Sequence, residues 1–262
     1  MPSSISDSII YGSAWGTAEM RAIFDDVPRT QAWLEIIAAL ALAQSELGII
    51  PKAAAIEIAH HAKIEELNLE NIRRGYQETS HSTLGLIHEL QRVLPATAGE
   101  WVYFGATVQD ITDTWASLAL KQVAEIAYRD LRALEAMLLD HAAHHRETLM
   151  PGRTHGQIGL PITFGFKAAV WAREIRRHIQ RLKELAPRLA VGQLAGGVGS
   201  VSSYGDQGLE LLARFCARLR LNVPDISWDT ARDNLAEFGN LAAIVSATLA
   251  KIANEIYNLQ RQ

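Results

Sequence analysis

Apolar positions along this chain recur mostly at spacings of three and four, the signature of helices with a buried face. Residues 29–47 are rich in Ala, Leu, Ile, Glu and Gln and run into Gly48 ahead of Pro51, which predicts a helix that stops there. Pro51 suits the first turn of a second helix reaching Ala62. Ser80 or Ser82 can cap a third, running to about Val93 before Pro95. The longest candidate covers 111–146, about 55 Å of helix. Leu120, Val123, Ala127, Leu131, Leu134 and Leu138 form one stripe on it, and Trp115, Ala119, Ile126, Ala133 and Met137 a second. Two stripes predict burial on more than one side, as in the middle of a bundle. Residues 161–186 repeat the pattern with Phe164, Ala168, Trp171, Ile175, Ile179 and Leu182, and Pro187 is expected to end or kink that helix. A short helix is expected over 209–219, and a last stripe runs from Leu235 through Leu241, Val245, Leu249, Ile252 and Ile256 to Leu259. Residues 192–208 are rich in Gly and Ser and read as a loop.

No segment alternates convincingly as a strand should, so the expected fold is all-α. It comprises an N-terminal helical domain over 1–108 and a long-helix bundle domain over 109–262. The final stripe reaches Gln262 with no Gly cap, proline or polar tail. Helices usually close their free carbonyls with such a device, so the bundle is expected to be incomplete at its C-terminus.

Composition narrows the class. Of 262 residues, 48% are hydrophobic and 21% charged, the balance of a globular protein. A net charge of −4 without a basic run argues against nucleic acid or an anionic membrane as partner. The longest wholly apolar runs, such as 36–43, are too short to span a bilayer. Cys216 is the single cysteine, which excludes an intramolecular disulfide and favours a cytoplasmic location. The opening stretch, MPSSISDSIIYGSAWG, has neither the basic start nor the apolar centre of a signal peptide.

Candidate chemistry concentrates in three polar stretches, each placed just ahead of an expected helix: ETSHSTLGLI (78–87), YFGATVQDITDT (103–114) and GRTHGQIGLP (152–161). A helix start offers unpaired N–H groups and the positive end of a dipole, which suit a carboxylate or phosphate. Taken singly, Ser80, Thr107, Asp110 and Thr154 are most simply helix caps. Taken together, with His81 and His155 among them, the three stretches point to an anion-binding active site. His141 and His145 stand i, i+4 on a helix but lack a third ligand or the Glu of a zinc-protease motif, so no metal is expected. His178, among Arg176, Arg177 and Arg181, reads as part of a solvated helix face. The glycines of GQLAGGVGSVSSYG are not followed by Gly-Lys-Ser/Thr, so a phosphate loop is not expected.

The order FGATVQDITDT, GRTHGQ with P-x-T-F-G following, GQLAGGVGS and ARDNLAEFG resembles the fumarase/aspartase superfamily, in its branch of adenylosuccinate lyase and 3-carboxy-cis,cis-muconate cycloisomerase. The likeness begins near Gly16 and covers nearly the whole chain. It implies a lyase that removes a proton beside a carboxylate, stabilises the resulting aci-carboxylate with aimed donors, and expels a group β to it, releasing fumarate. By this resemblance Thr107, Gln109 and Asp110 bind and orient a small anionic substrate. Thr154 and His155 belong to the region whose histidine binds or acts as general acid, with Gln157 beside them. His81, flanked by Ser80 and Ser82, matches a histidine near the substrate. Gln193 matches a binding position in the Gly-rich segment, and Arg232 an arginine that holds an anionic group. No cofactor is implied. A homotetramer with shared active sites is.

The chain also departs from the family pattern. The mobile loop G-S-S-x-M-P-x-K-x-N, which carries the serine base, is absent, and its place would fall beyond residue 262. The chain by itself is therefore expected to be inactive. His81-Ser82 stands where adenylosuccinate lyases have His-Asp, while AEMRAIF (18–24) and ARDNLAEFG (231–239) resemble the cycloisomerase branch. The retained His155 favours β-elimination from a succinyl-type substrate over cycloisomerisation. A non-catalytic helical scaffold is the third reading.

Overall fold

The computed structural model describes residues 4–260. Ten α-helices are present among them: α1 (Ala18–Phe24), α2 (Asp26–Glu46), α3 (Lys52–His61), α4 (Leu69–Thr79), α5 (Leu84–Val93), α6 (Ala96–Gly99), α7 (Val108–His144), α8 (Phe164–Leu189), α9 (Gly208–Leu219) and α10 (Asp233–Leu259). Between α7 and α8 lie two strands, β1 (Leu149–Thr154) and β2 (Gln157–Thr163), which pair antiparallel. The fold is thus mostly helical, as expected, with a hairpin that the sequence pattern did not predict. The described residues form two compact units. One holds the residues up to Gln122 together with Ala190–Arg232, the other Val123–Leu189 together with the residues from Asp233 onward.

The first unit has an aliphatic core. Leu34, Ile37 and Leu40 of α2, Ile58 of α3, Leu86 and Leu90 of α5, Ile111 of α7, and Leu211 and Phe215 of α9 are all but excluded from solvent. Helix α4 was missed from sequence because it buries no residue. It is fixed by polar means. Asn68 caps it by accepting from the N–H groups of Glu70 and Asn71. Buried Glu89 of α5 in turn accepts from the Asn68 N–H at 2.8 Å and the Asn71 amide at 3.0 Å. With Arg92 alongside, the Glu89 carboxyl is held down to about 2, against the opposing effect of its burial. The two helices cross at Gly75 and Gly85, where a Cβ on Gly75 would come within 2.7 Å of the Gly85 Cα. Only glycine permits that approach, and it sets where the Ser80–Ser82 turn emerges.

In the second unit α8 lies along α10. Ala168, Trp171, Ile175, Ile179 and Leu182 form its inner face, and Pro187 sits inside the helix, which continues to Leu189. Three ion pairs, Arg188–Glu237, Lys251–Glu174 and Lys167–Glu255, join the charged positions of α10 to α8. Only Leu241, Thr248 and Ile252 of α10 are buried, while Ile244, Leu249, Ile256 and Tyr257 are exposed. α10 includes an 18-residue window of mean hydropathy 1.3, so by length and composition it reaches the range of a membrane span. The reading by uninterrupted apolar runs overlooked this, because Asn, Ser, Thr and Lys are interspersed along the helix.

Candidate active site

Five of the expected site residues gather in the first unit, where the start of α7 meets the Gly-rich strap 192–200 and the turn 227–232. Asp110 is their centre and is fully buried. One carboxylate oxygen accepts the Ala195 N–H at 2.8 Å. The other accepts the Gly196 N–H at 3.0 Å and the Thr107 N–H at 2.9 Å. The last bond makes Asp110 the N3 partner of a helix cap, and the first two pin the strap. Burial pushes the Asp110 carboxyl up from its ordinary range, and the three N–H groups pull it back.

Gln193, also fully buried, is committed on every side. Its backbone N–H donates to the Thr114 hydroxyl at 3.0 Å, and that hydroxyl donates to the Gln193 carbonyl at 2.8 Å. Its side-chain amide donates to Ser227 Oγ at 2.9 Å and accepts the Trp228 N–H at 3.0 Å. Gln109 donates to the Asp229 carbonyl at 3.0 Å. Arg232 is paired with Asp113 at 2.9 Å, donates to the Asp229 carbonyl, and lies over the Trp228 ring with its guanidinium carbon 5.8 Å from the centroid. Of this group, Thr107 has its hydroxyl free of any hydrogen bond among the described residues. Asp110, Gln193, Gln109 and Arg232 thus all bond the strap or the turn, while the Thr107 hydroxyl makes no such bond and Arg232, 40% exposed, keeps N–H groups to spare.

Sequence reasoning missed Asp113, Thr114, Ser227 and Trp228. A signal existed for the first two. Asp113 and Thr114 follow Asp110 by three and four positions and precede Ser117 by four and three, so one face of α7 carries a buried polar stripe amid apolar residues.

His81, Ser80 and Ser82 lie in the turn between α4 and α5, all exposed. Ser80 ends α4 in the left-handed region at φ 54°, its N–H donating to the Tyr76 carbonyl. His81 accepts the Leu84 N–H on Nδ1 at 3.1 Å, so it caps α5 and carries its proton on Nε2 when neutral.

The third stretch corrects the expectation of a helix start. Thr154 and Gln157 face each other at the end of the hairpin, with His155 and Gly156 as its two-residue turn. Both turn residues have positive φ, 52° and 76°, as a type I′ turn requires. His-Gly between two runs is a weak version of the Asn-Gly signal, since histidine tolerates the left-handed region better than most residues. The bulge near Gly152, a position where a Cβ would meet the Leu160 carbonyl at 2.7 Å, hid the alternation. Thr154, His155 and Gln157 are exposed, and the His155 ring has no partner among the described residues. It is presented, not packed.

One other sequence expectation changes. His178 is buried rather than solvated, and it bonds Thr248 at 2.8 Å. His141 and His145 stack ring on ring, 5.9 Å apart, at the end of α7.

Residues 14–262 match a family described as lyase. The chain belongs to the fumarase/aspartase superfamily. It is 42% identical over its whole length to N-acetyl-S-(2-succino)cysteine lyase of Dickeya dadantii (strain 3937), of which it covers 57%. It is 41% identical over 248 residues to adenylosuccinate lyase of Methanocaldococcus jannaschii, covering 94% of this chain and 54% of that protein. The solved structure of beta-carboxy-cis,cis-muconate cycloisomerase from Acinetobacter calcoaceticus sp. ADP1 superposes with a TM-score of 0.93 at 28% identity, over 96% of this chain and 60% of that one. The chain thus spans little more than half the length of the relatives it matches.

Proposed function

We propose that the full protein containing this chain is a lyase that cleaves a succinyl adduct by β-elimination and releases fumarate. A base takes the proton beside one carboxylate, the electron pair forms the C=C bond of fumarate, and the bond to sulfur or nitrogen breaks with its electrons leaving on the heteroatom. The observation that carries this reading is the agreement of two relatives at 41–42% identity, whose names specify a succino group on sulfur in one and a succinate adduct in the other. The buried network supports it: Thr107 and the strap would face a carboxylate, with Asp110 fixing their geometry. In the shared sites of the oligomer, Thr154, Gln157 and His155 of the hairpin tip, and His81 with Ser80 and Ser82 of the α4–α5 turn, are the candidates for the remaining donors. In this reading either histidine is the group that hands a proton to a leaving amine. A thiol, with an ordinary pKa of about 8.5, leaves far more readily without one.

The base in this reading is the serine of the family's mobile loop, which this stretch of chain does not contain. The exposed apolar stripe of α10 and the bare hairpin residues Leu149, Ile158 and Leu160 support assembly into a homotetramer with shared sites. A cytoplasmic enzyme, with neither nucleic acid nor membrane as partner, fits the charge and the single cysteine.

The test is fumarate production by the full-length protein from N-acetyl-S-(2-succino)cysteine and, in parallel, from adenylosuccinate. Fumarate from either supports β-elimination, and the preferred substrate identifies the leaving atom. No fumarate from either, with conversion of a carboxymuconate to its lactone, would replace this reading by cycloisomerisation. No turnover in any arm would favour the scaffold.

A further inference from the structure

The strap 192–200 has glycine at 192, 196, 197 and 199, with Gly196 and Gly199 at φ near +73° and +72°. A stretch so rich in glycine has little conformational preference of its own, so neighbours must impose one. Two sets of neighbours do. From α7, Asp110 takes the Ala195 and Gly196 N–H groups, and Thr114 holds both backbone groups of Gln193. From the turn, the Trp228 indole N–H donates to the Gly192 carbonyl at 3.0 Å, while the Trp228 N–H and Ser227 hydroxyl hold the Gln193 amide. Trp228 thus touches the strap through ring and backbone, and it is itself buried.

Arg232 braces this turn from the other side. It spans Asp113 of α7, the Asp229 carbonyl and the face of the Trp228 ring. Asp113 is buried, and burial raises its carboxyl while the guanidinium lowers it. Two of its five N–H donors are thereby fixed, and the side chain is 40% exposed.

We propose that Asp113, Arg232 and Trp228 form a positioning brace that fixes the Gly-rich strap. This rests on the strap serving a lyase site, as proposed above, but the brace has a readout that does not need turnover.

Hydrogen exchange of the Ala195 and Gly196 amides in the full-length protein supplies it. In W228F the ring stays and the bond to Gly192 goes. In D113N and R232Q the ion pair goes. Each is expected to speed exchange at 195–196 about tenfold or more, the equivalent of one hydrogen bond lost, while amides of α2 and α3 keep wild-type rates. Unchanged exchange at 195–196 in W228F overturns the brace. A substitution that speeds exchange throughout the unit also overturns it, since that marks a general fold contact. Kinetics on the fumarate-releasing substrate give the second arm. D113N and R232Q should each lower kcat more than they raise KM, and the D113N/R232Q double variant should be no worse than the poorer single one. If R232Q instead raises KM while D113N is silent, Arg232 binds the substrate directly and the brace falls. If wild-type protein releases no fumarate, the function reading fails while the exchange arm still judges the brace.

Discussion

The two places that carry most of the candidate chemistry are built in opposite ways. At the start of α7 the polar groups face inward: Asp110 and Gln193 are fully buried, and their bonding capacity is spent on backbone and neighbouring side chains. At the hairpin tip Thr154, His155 and Gln157 face outward, and His155 has no protein partner among the described residues. A buried, saturated group is costly to disturb because its partners are left without water or replacement. An exposed, unpartnered one can change with no effect on stability. Side chains of the same polar character therefore divide into those committed to holding backbone and those left free, and substitution should separate them.

The sharpest separation is expected at His155. Asparagine is the favoured residue for the first position of a type I′ turn, so H155N keeps the hairpin and removes the imidazole. If His155 supplies the proton for the leaving group, kcat on an amine-leaving substrate should fall about 100-fold or more. The fall should be markedly smaller on a thioether, and the Tm should stay unchanged. Equal turnover by H155N and wild type on both substrates would remove His155 from the chemistry. His81 would then be the remaining candidate.

Asp110→Asn should show the reverse profile. The amide cannot accept at both ends, so at least one of the Thr107, Ala195 and Gly196 N–H groups faces another donor. A loss of about 2–3 kcal/mol is expected, visible as a Tm lowered by several degrees. Fumarate release should fall along with it, because the strap moves. A D110N protein of wild-type stability would show that the three bonds are not holding groups, and the contrast between the two regions would collapse.

How far the sequence disclosed this division can be judged residue by residue. The long helices were legible because their apolar stripes repeat over many turns, and α7, α8 and α10 fall within a few residues of expectation. The hairpin was not. Its strands have no buried face to impose alternation, and the bulge at Gly152 breaks what alternation there is. The convergence of Thr107, Gln109, Asp110, Gln193 and Arg232 followed from motif order, since no local pattern links positions so far apart in the chain. What motif order left out was the direction each side chain faces. Asp110 looks like a ligand for a substrate, and its carboxylate accepts three backbone N–H groups instead.

The same inward logic operates in the second unit, with a smaller expected effect. His178 of α8 is almost wholly buried, and its Nε2 is 2.8 Å from the Thr248 hydroxyl of α10. That hydroxyl donates to Glu174 at 3.0 Å, so it must accept from His178, and the proton of the ring sits on Nε2. Nδ1 is then left to accept from Arg181 at 3.3 Å. A second proton would set an N–H against the Arg181 guanidinium, with Arg177 and Lys251 adding repulsion and Glu174 opposing it. Burial first, and Arg181 after it, push the His178 pKa below the ordinary histidine value of about 6.5. As pH falls through that ordinary value the unfolded chain takes up a proton that the folded one resists, so stability declines with pH across this window. Above it the neutral ring contributes in full. Denaturant midpoints measured between neutral pH and about pH 5 should therefore drop for the wild type. In H178Q, which has no proton to gain there, the midpoint should start lower and fall less. Parallel pH dependence in the two proteins would mean that other groups carry the effect and that His178 is an ordinary packed residue.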